Sequence, residues 1–213
     1  MKPKVFCIGF HKTGTSSLRK ALETLGYRVT GPNGRKDPDI AENVLPLAFG
    51  LVEQFDAFQD NPWPIIYKEL DCRYPGSKFI LLRRPTEAWI KSVVDHFGTK
   101  DTPMRKWIYG VGHPKGNEDI YTRRYDLHNE QVMKYFEHRP DDLIVMDYTQ
   151  GDGWGKLCPF LGCEIPDAPY PHANKGSDRK DRRNKAKKRK PLPKRFSFRT
   201  ANRILNRIKR RFQ

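Results

Sequence analysis

Val5-Phe6-Cys7-Ile8-Gly9-Phe10-His11-Lys12-Thr13-Gly14-Thr15-Ser16-Ser17-Leu18 reads, from left to right, as a strand, a tight polar loop and the first turn of a helix. Val5 to Ile8 form an unbroken apolar run, as expected of a strand buried in a sheet. Leu18, Ala21, Leu22 and Leu25 recur at helical spacing on one face, and Gly26 is placed to end that helix. A loop between such elements gathers backbone N–H groups and the positive end of a helix dipole around one point. Lys12 and the hydroxyls of Thr13, Thr15, Ser16 and Ser17 add to it, and such a point favours a phosphate. A turn that merely starts a helix would need neither the lysine nor so many hydroxyls.

The residue order excludes the nucleoside triphosphatase version of this loop. That pattern, GxxxxGK[ST], places its lysine directly after the second glycine, where it reaches the outer phosphates. Here Thr15 follows Gly14, and the lysine comes earlier, at Lys12. A small-molecule kinase is disfavoured on the same ground. The order Lys-Thr-Gly-Thr-Ser-Ser instead resembles the 5′-phosphosulfate loop of the sulfotransferases, which use 3′-phosphoadenosine 5′-phosphosulfate (PAPS).

Beyond the first helix the chain keeps alternating. Tyr27 to Thr30 predicts a short strand and Gly31-Pro32-Asn33-Gly34 a turn. Ile40 to Phe55 carries a helical stripe of Val44, Leu47, Ala48, Leu51, Val52 and Phe55, interrupted by Pro46. Asp56 to Asp60 predicts a strand ending in a carboxylate, closed off by Asn61-Pro62-Trp63-Pro64. Ile65 to Tyr74 reads as a helix, Lys78 to Arg83 as the clearest strand, and Thr86 to His96 as the helix after it. Ile120 to His138, Asp142 to Asp147 and Trp154 to Leu161 supply a helix, the last strand and a short helix. Strand and helix in alternation predict an α/β fold, a three-layer parallel sheet with helices on both faces. Ligands of such sheets lie across the carboxyl ends of the strands, where the loop at Gly9 and the residues after Arg83 both fall.

The second informative stretch is Arg83-Arg84-Pro85-Thr86-Glu87-Ala88-Trp89-Ile90-Lys91-Ser92. It is similar to the 3′-phosphate motif of sulfotransferases, in which an Arg ends a strand and a Ser follows eight residues on, within the next helix. Arg84 and Ser92 have that separation, so Arg84 is preferred over Arg83, which remains the alternative. The family often has an acidic residue after this Arg, where this chain has Pro85. A guanidinium fork with a hydroxyl grips a phosphate that a plain nucleotide lacks. His128-Asn129-Glu130 and Pro171-His172-Ala173-Asn174-Lys175-Gly176 are also similar to segments of a small bacterial-type subfamily. The resemblance spans residues 4–176.

It implies a P-loop-like sulfotransferase fold over residues 1–176 and sulfuryl transfer from PAPS to an acceptor hydroxyl or amine. Lys12 would stabilise charge on the leaving phosphate oxygen in an in-line displacement. Thr13, Gly14, Thr15, Ser16 and Ser17 would hold the 5′-phosphate, Arg84 and Ser92 the 3′-phosphate, with His11 and Lys175 lining the nucleotide site. No metal is expected, because the leaving group is a stable phosphate and the lysine neutralises it.

Asp60 is the first candidate for the base that deprotonates the acceptor, since related enzymes place a Glu, Asp or His nearby. A helix N-cap or loop carboxylate is an equally weighted reading of it. His96, His113, His128 and His172 are rivals, with His96 and His128 ranked below Asp60 because a lone helical His is more often structural. Gly98 to Glu118, rich in Gly, Pro and Lys around Trp107, Ile108 and Tyr109, reads as a loop covering the acceptor. A sugar, a lipid or another hydrophobic alcohol would suit it equally.

The chain has 213 residues and a formal charge of +16, but the charge is unevenly spread. Gly176 to Gln213 holds 17 Lys/Arg against 2 acidic residues, leaving a body that is close to neutral. Residues 177–190 are Lys/Arg-rich with little to bury, which predicts disorder in isolation. Ala201 to Phe212 has the spacing of a basic amphipathic helix. Such a tail suits an anionic membrane surface, an acidic glycan or a nucleic acid, whereas packing of its helix on the body is the plainer expectation. A nucleotide-fold protein acting through that tail is the rival to an enzyme. No apolar run approaches the roughly 18 residues of a membrane helix. Cys7, Cys72, Cys158 and Cys163 have no zinc spacing, so reduced thiols and a cytoplasmic location are expected.

Overall fold

Strand β1, Val5–Cys7, is buried at every residue, and its side chains alternate between two separate cores. The computed structural model describes residues 2–173; the expectations for Lys175 and for the tail lie outside those residues. Four more strands join β1: β2 (Val29–Thr30), β3 (Ala57–Phe58), β4 (Lys78–Leu82) and β5 (Leu143–Met146). They lie in the order β2-β3-β1-β4-β5, and every neighbouring pair is parallel. β1 sits at the centre, with Phe6 in register with Phe58 on one side and Phe79 on the other.

Among the described residues seven α-helices surround the sheet: α1 Thr15–Thr24, α2 Ile40–Val52, α3 Tyr67–Arg73, α4 Thr86–Phe97, α5 Pro103–Tyr109, α6 Glu118–Tyr135 and, after β5, α7 Trp154–Leu161. Helices α2 to α6 cover one face, packing on Phe6, Ile8, Phe79 and Leu81. Helices α1 and α7 cover the other, packing on Val5, Cys7, Ile80 and Leu82. The three-layer α/β reading is therefore what the chain adopts. The first face is dense with rings: Trp89 stacks on Tyr125 at 4.1 Å, Tyr109 on Tyr121 at 3.7 Å, and Phe6 on Phe58 at 4.9 Å between centroids. Ring pairs of this kind add about 0.5–1.5 kcal/mol each beyond the apolar area they bury.

The chain leaves β1 toward β2 on one side and leaves β4 toward β5 on the other. That reversal opens a crevice at the carboxyl ends of β1 and β4, the place where doubly wound sheets bind ligands.

Three expectations need correction. Helix α2 runs straight through Pro46, because its buried stripe of Ile40, Val44, Ala48 and Val52 continues on both sides of the proline. Residues 98–118 are not an open loop, since α5 lies within them and buries Met104, Ile108 and Tyr109. Thr102 caps that helix by accepting from Arg105 N, Pro103 opens it and left-handed Gly110 ends it. Asp60 does not end a strand, for β3 stops at Phe58. All four cysteines are free thiols, Cys7 and Cys158 buried. No helix of the described residues is long and apolar enough to cross a membrane.

Candidate active site

The loop from Gly9 to Gly14 is shaped from both ends by close packing. A Cβ on Gly9 would fall 2.6 Å from Leu82 N, so only glycine lets the loop leave β1 flush against β4. At the other end Gly14 has φ 111° and the Tyr148 ring lies against it, where a Cβ would come within 2.7 Å of Cε2. Lys12 also adopts a left-handed backbone, φ 69°, an uncommon conformation for a side-chain-bearing residue. Thr13 spends its hydroxyl inside the loop, donating to Phe10 O at 2.6 Å. The Gly14 carbonyl then starts α1 by accepting from Ser17 N at 2.8 Å and Leu18 N at 3.2 Å. No side chain caps α1, so its first-turn N–H groups face the head of the loop together with the helix dipole.

The expected partners of the loop distribute unevenly. Lys12 is half-buried, Ser16 exposed, and Thr15 and Ser17 buried. Ser17 Oγ accepts from Ala173 N at 3.0 Å, which ties the end of the described chain to α1. Arg84, not Arg83, turns toward the loop: its Nη1 donates to Lys12 O at 3.5 Å. The Arg84 backbone is pinned at both ends by one hydroxyl, Tyr125 Oη accepting from its N–H at 3.0 Å and donating to its carbonyl at 2.9 Å. Its Nε is buried with no partner among the described residues. A buried guanidinium donor left unpaired costs free energy that an anion at the crevice would recover. Arg83 is exposed, and Ser92 is half-buried on α4.

Asp60 sits in a turn beside the loop, with φ 64°. Its Oδ1 accepts from Asn61 N at 2.7 Å, and its Oδ2 faces Thr15 Oγ1 at 3.5 Å. It caps no helix, because α3 begins only at Tyr67 with Ile66 before it. Burial raises its carboxyl above the usual aspartate value, opposed by the Asn61 N–H, the Thr15 hydroxyl and the charges of Lys12 and Arg35.

The histidines separate cleanly. His128 is buried on α6, donates from Nε2 to Ile8 O at 2.7 Å, and is pushed down to about 4 by burial, so it stays neutral and structural. His113 pairs with Asp101 at 2.6 Å outside the loop. His96 and His172 are exposed. His11 departs from expectation: its imidazole is only 2 % exposed and turns into the aromatic core rather than the nucleotide side. There Nδ1 meets Asn61 Nδ2 at 3.2 Å and Nε2 meets the Tyr109 hydroxyl at 3.3 Å. Burial first, then the charges of Arg105 and Lys12, pushes it down to about 3. Among the described residues, no group of His, Cys, Asp or Glu is placed to hold a metal ion.

A family model described as a sulfotransferase domain matches residues 4–114 and 101–179 of this chain. The chain belongs to the sulfotransferase family. It is also similar to a protein of Aspergillus versicolor described as Ava biosynthesis cluster protein M, 24% identical over 217 residues that cover 79% of this chain and 80% of that one. In this sulfotransferase, sequence reasoning gave no site role to Tyr148, Tyr125 or Asn61, and named Tyr109 only as part of the acceptor-covering segment. Each acts by touching a motif residue from a distant segment, and no local pattern announces such a contact.

Proposed function

We propose that this sulfotransferase moves the sulfuryl group of PAPS to a hydroxyl, or an amine, of its acceptor. The observation that carries this reading is the convergence of a lysine-bearing loop at a helix N-terminus with Arg84, whose Nε is buried without a partner beside it. An orphaned buried donor fits a second phosphate, which PAPS has and a nucleoside monophosphate lacks. When bound, PAPS supplies the sulfuryl group and a phosphate leaving group.

The chain's own residues divide the remaining work. Lys12, half-buried at the loop, neutralises charge on the departing phosphate oxygen. The N–H groups at the head of α1 and the hydroxyls of Thr15 and Ser16 hold the 5′ side, while Arg84 and Ser92 hold the 3′-phosphate. Asp60 Oδ2 takes the acceptor proton as the new oxygen–sulfur bond forms and the sulfur–phosphate oxygen bond breaks. Its raised carboxyl suits a general base better than an ordinary aspartate would. Residues 98–117 cover the acceptor with a helix rather than a loose strap.

The charge split supports a separate role for residues 177–213. With 17 Lys/Arg against 2 acidic residues beyond Gly176, that tail would bring the enzyme to an anionic membrane surface or another polyanion.

Incubation with sulfur-labelled PAPS and a panel of glycans, lipids and phenols tests the assignment. Labelled product with the intact protein, and on the order of 10²–10³-fold less with Lys12→Ala, is the expected result. Tight binding of adenosine 3′,5′-bisphosphate without transfer to any acceptor would favour a nucleotide-binding protein that acts through its tail.

A further inference from the structure

His11 stands where several parts of the molecule meet, and the reaction above leaves its ring unused. Its carbonyl accepts from Trp89 Nε1 of α4 at 2.8 Å. Its two ring nitrogens are engaged by Asn61 and by Tyr109 of α5, and Phe97 at the end of α4 meets the ring edge-on at 5.0 Å. Asn61 in turn donates its backbone N–H to Asp60. One buried imidazole therefore touches the phosphate loop it belongs to, the turn of the proposed base, and the segment that covers the acceptor.

That segment is closed on itself. Lys115 N donates to Gly98 O at 3.2 Å and Thr102 N to Gly112 O at 3.4 Å, bringing its two ends together. Buried Arg105 staples the same neck, donating from Nε to Gly112 O at 3.0 Å and from Nη2 to Lys100 O. With its own ends tied, the segment contacts the loop through α5, where the Tyr109 hydroxyl meets His11 Nε2. Displacing α5 would strand the hydroxyl and the His11 nitrogen together, and buried polar groups are costly to leave unpaired.

We infer that Tyr109, His11 and Asn61 form a positioning network through which docking of residues 98–117 sets the phosphate loop and the Asp60 turn at once, coupling the donor and acceptor sides of the site. Coupling of this kind is reciprocal: whatever orders the loop orders the segment, and the reverse. None of the three residues needs to touch a reacting atom. The donor and acceptor roles of the two sides, and the ligand used to probe the network, rest on the PAPS reading above; the contacts themselves do not.

Hydrogen exchange read peptide by peptide tests the network. Tyr109→Phe removes one hydroxyl and keeps the ring on Tyr121. It should speed exchange at least tenfold in residues 98–117, and equally in residues 9–17 and 60–63, while β4 and α7 keep wild-type rates. A side chain that only fills the core would change residues 98–117 and α6 alone, and that pattern would overturn the inference, as would no change anywhere. If Tyr109→Phe does not fold, the wild-type protein decides the matter. Saturating adenosine 3′,5′-bisphosphate should slow exchange at least tenfold across residues 98–117, and unchanged exchange there refutes the coupling. Failure of the wild type to bind that nucleotide would instead strike the PAPS reading, with the Tyr109→Phe exchange pattern still deciding the network.

Discussion

The two faces of the central sheet are built from different materials. The face under α2 to α6 is a wide aromatic core, with Phe6, Phe58, Phe79, Trp63, Trp89, Tyr121 and Tyr125 fully buried or nearly so. The face under α1 and α7 is smaller and mainly aliphatic, with Val5, Cys7, Leu18, Ala21, Leu22, Leu157 and Cys158 at its centre and Tyr27, Trp154, Tyr148 and Tyr170 around them. The phosphate loop joins them. Phe10 and His11 belong to the aromatic side, whereas Leu18, in the first turns of α1, already belongs to the other. Large rings bring hydrogen-bonding edges into a core, so the aromatic face can hold the loop's backbone and side chains by direct bonds. On the other face the ring hydroxyls of Tyr148 and Tyr170 bond to each other at 2.6 Å and Trp154 Nε1 bonds to Ala168 O at 2.7 Å, while Tyr148 meets the loop by packing on Gly14.

The largest expected effect breaks the aromatic face. Trp89→Ala should cost about 3–5 kcal/mol of stability and weaken nucleotide binding as well, because Nε1 holds the His11 carbonyl. Leu157→Ala should cost about 2–5 kcal/mol and leave nucleotide affinity alone. Denaturant unfolding with calorimetry of adenosine 3′,5′-bisphosphate compares them, and equal losses of affinity would erase the distinction. Lys12→Ala should lower transfer on the order of 10²–10³-fold in a protein that still folds, since the residue acts on developing charge. Wild-type turnover in that variant would end the proposed mechanism.

Acid should also act through the aromatic face. His11 and His128 are held down to about 3 and about 4, from an ordinary 6.5. Below pH 6.5 the unfolded chain takes up protons that the folded chain refuses. Stability therefore falls as pH drops, by up to about 1.4 kcal/mol per pH unit for each histidine. Asp60 works the other way: its raised carboxyl binds a proton in the folded state first, which returns some stability in acid. Urea unfolding at pH 7 and pH 5 measures the sum, and a flat profile would contradict the burial of both imidazoles. On the nucleotide side, Arg84→Ala should cut the preference for adenosine 3′,5′-bisphosphate over AMP by tenfold or more, as charge-assisted bonds contribute roughly 1.5–3 kcal/mol. Arg83→Ala should keep that preference.

The smallest effect on either face should come from ending the chain at Gly176. That protein should keep its stability and nucleotide affinity while losing salt-sensitive adsorption to anionic vesicles, worth about 1 kcal/mol per basic residue near the surface. Heparin or DNA in the same assay separates lipid from polyanion. Unfolding on truncation would show instead that residues 177–213 are needed by the body.

Most of the sheet was legible because it is written in contiguous runs. Val5 to Ile8, Lys78 to Leu82 and Leu143 to Met146 announce themselves as buried strands, and the Gly9 to Ser17 loop follows the first without interruption. Helix α5 was hidden behind a high density of glycine and proline, although Thr102-Pro103 and Gly110 mark its two ends. His11 was misplaced for a different reason. A histidine beside a phosphate-binding lysine invites a role at the ligand, and only the fold brings Asn61 and Tyr109 to its two nitrogens. The similarity to the 3′-phosphate motif prefers Arg84 over Arg83 through its distance to Ser92, whereas the Tyr125 hydroxyl that pins Arg84 lies 41 positions away.

The hydrogen bond from Ala173 N to Ser17 Oγ spans 156 positions of the chain. On a ribosome adding roughly 5–20 residues per second, Ser17 emerges 156 positions ahead of Ala173 and waits for every strand after β1 before that bond can form. β1 likewise emerges with both of its neighbours, β3 and β4, still to be made. Contacts so distant in sequence make for slow folding, because the ends must meet before the bond rewards them. The first part of the site to be synthesised is thus among the last to be finished.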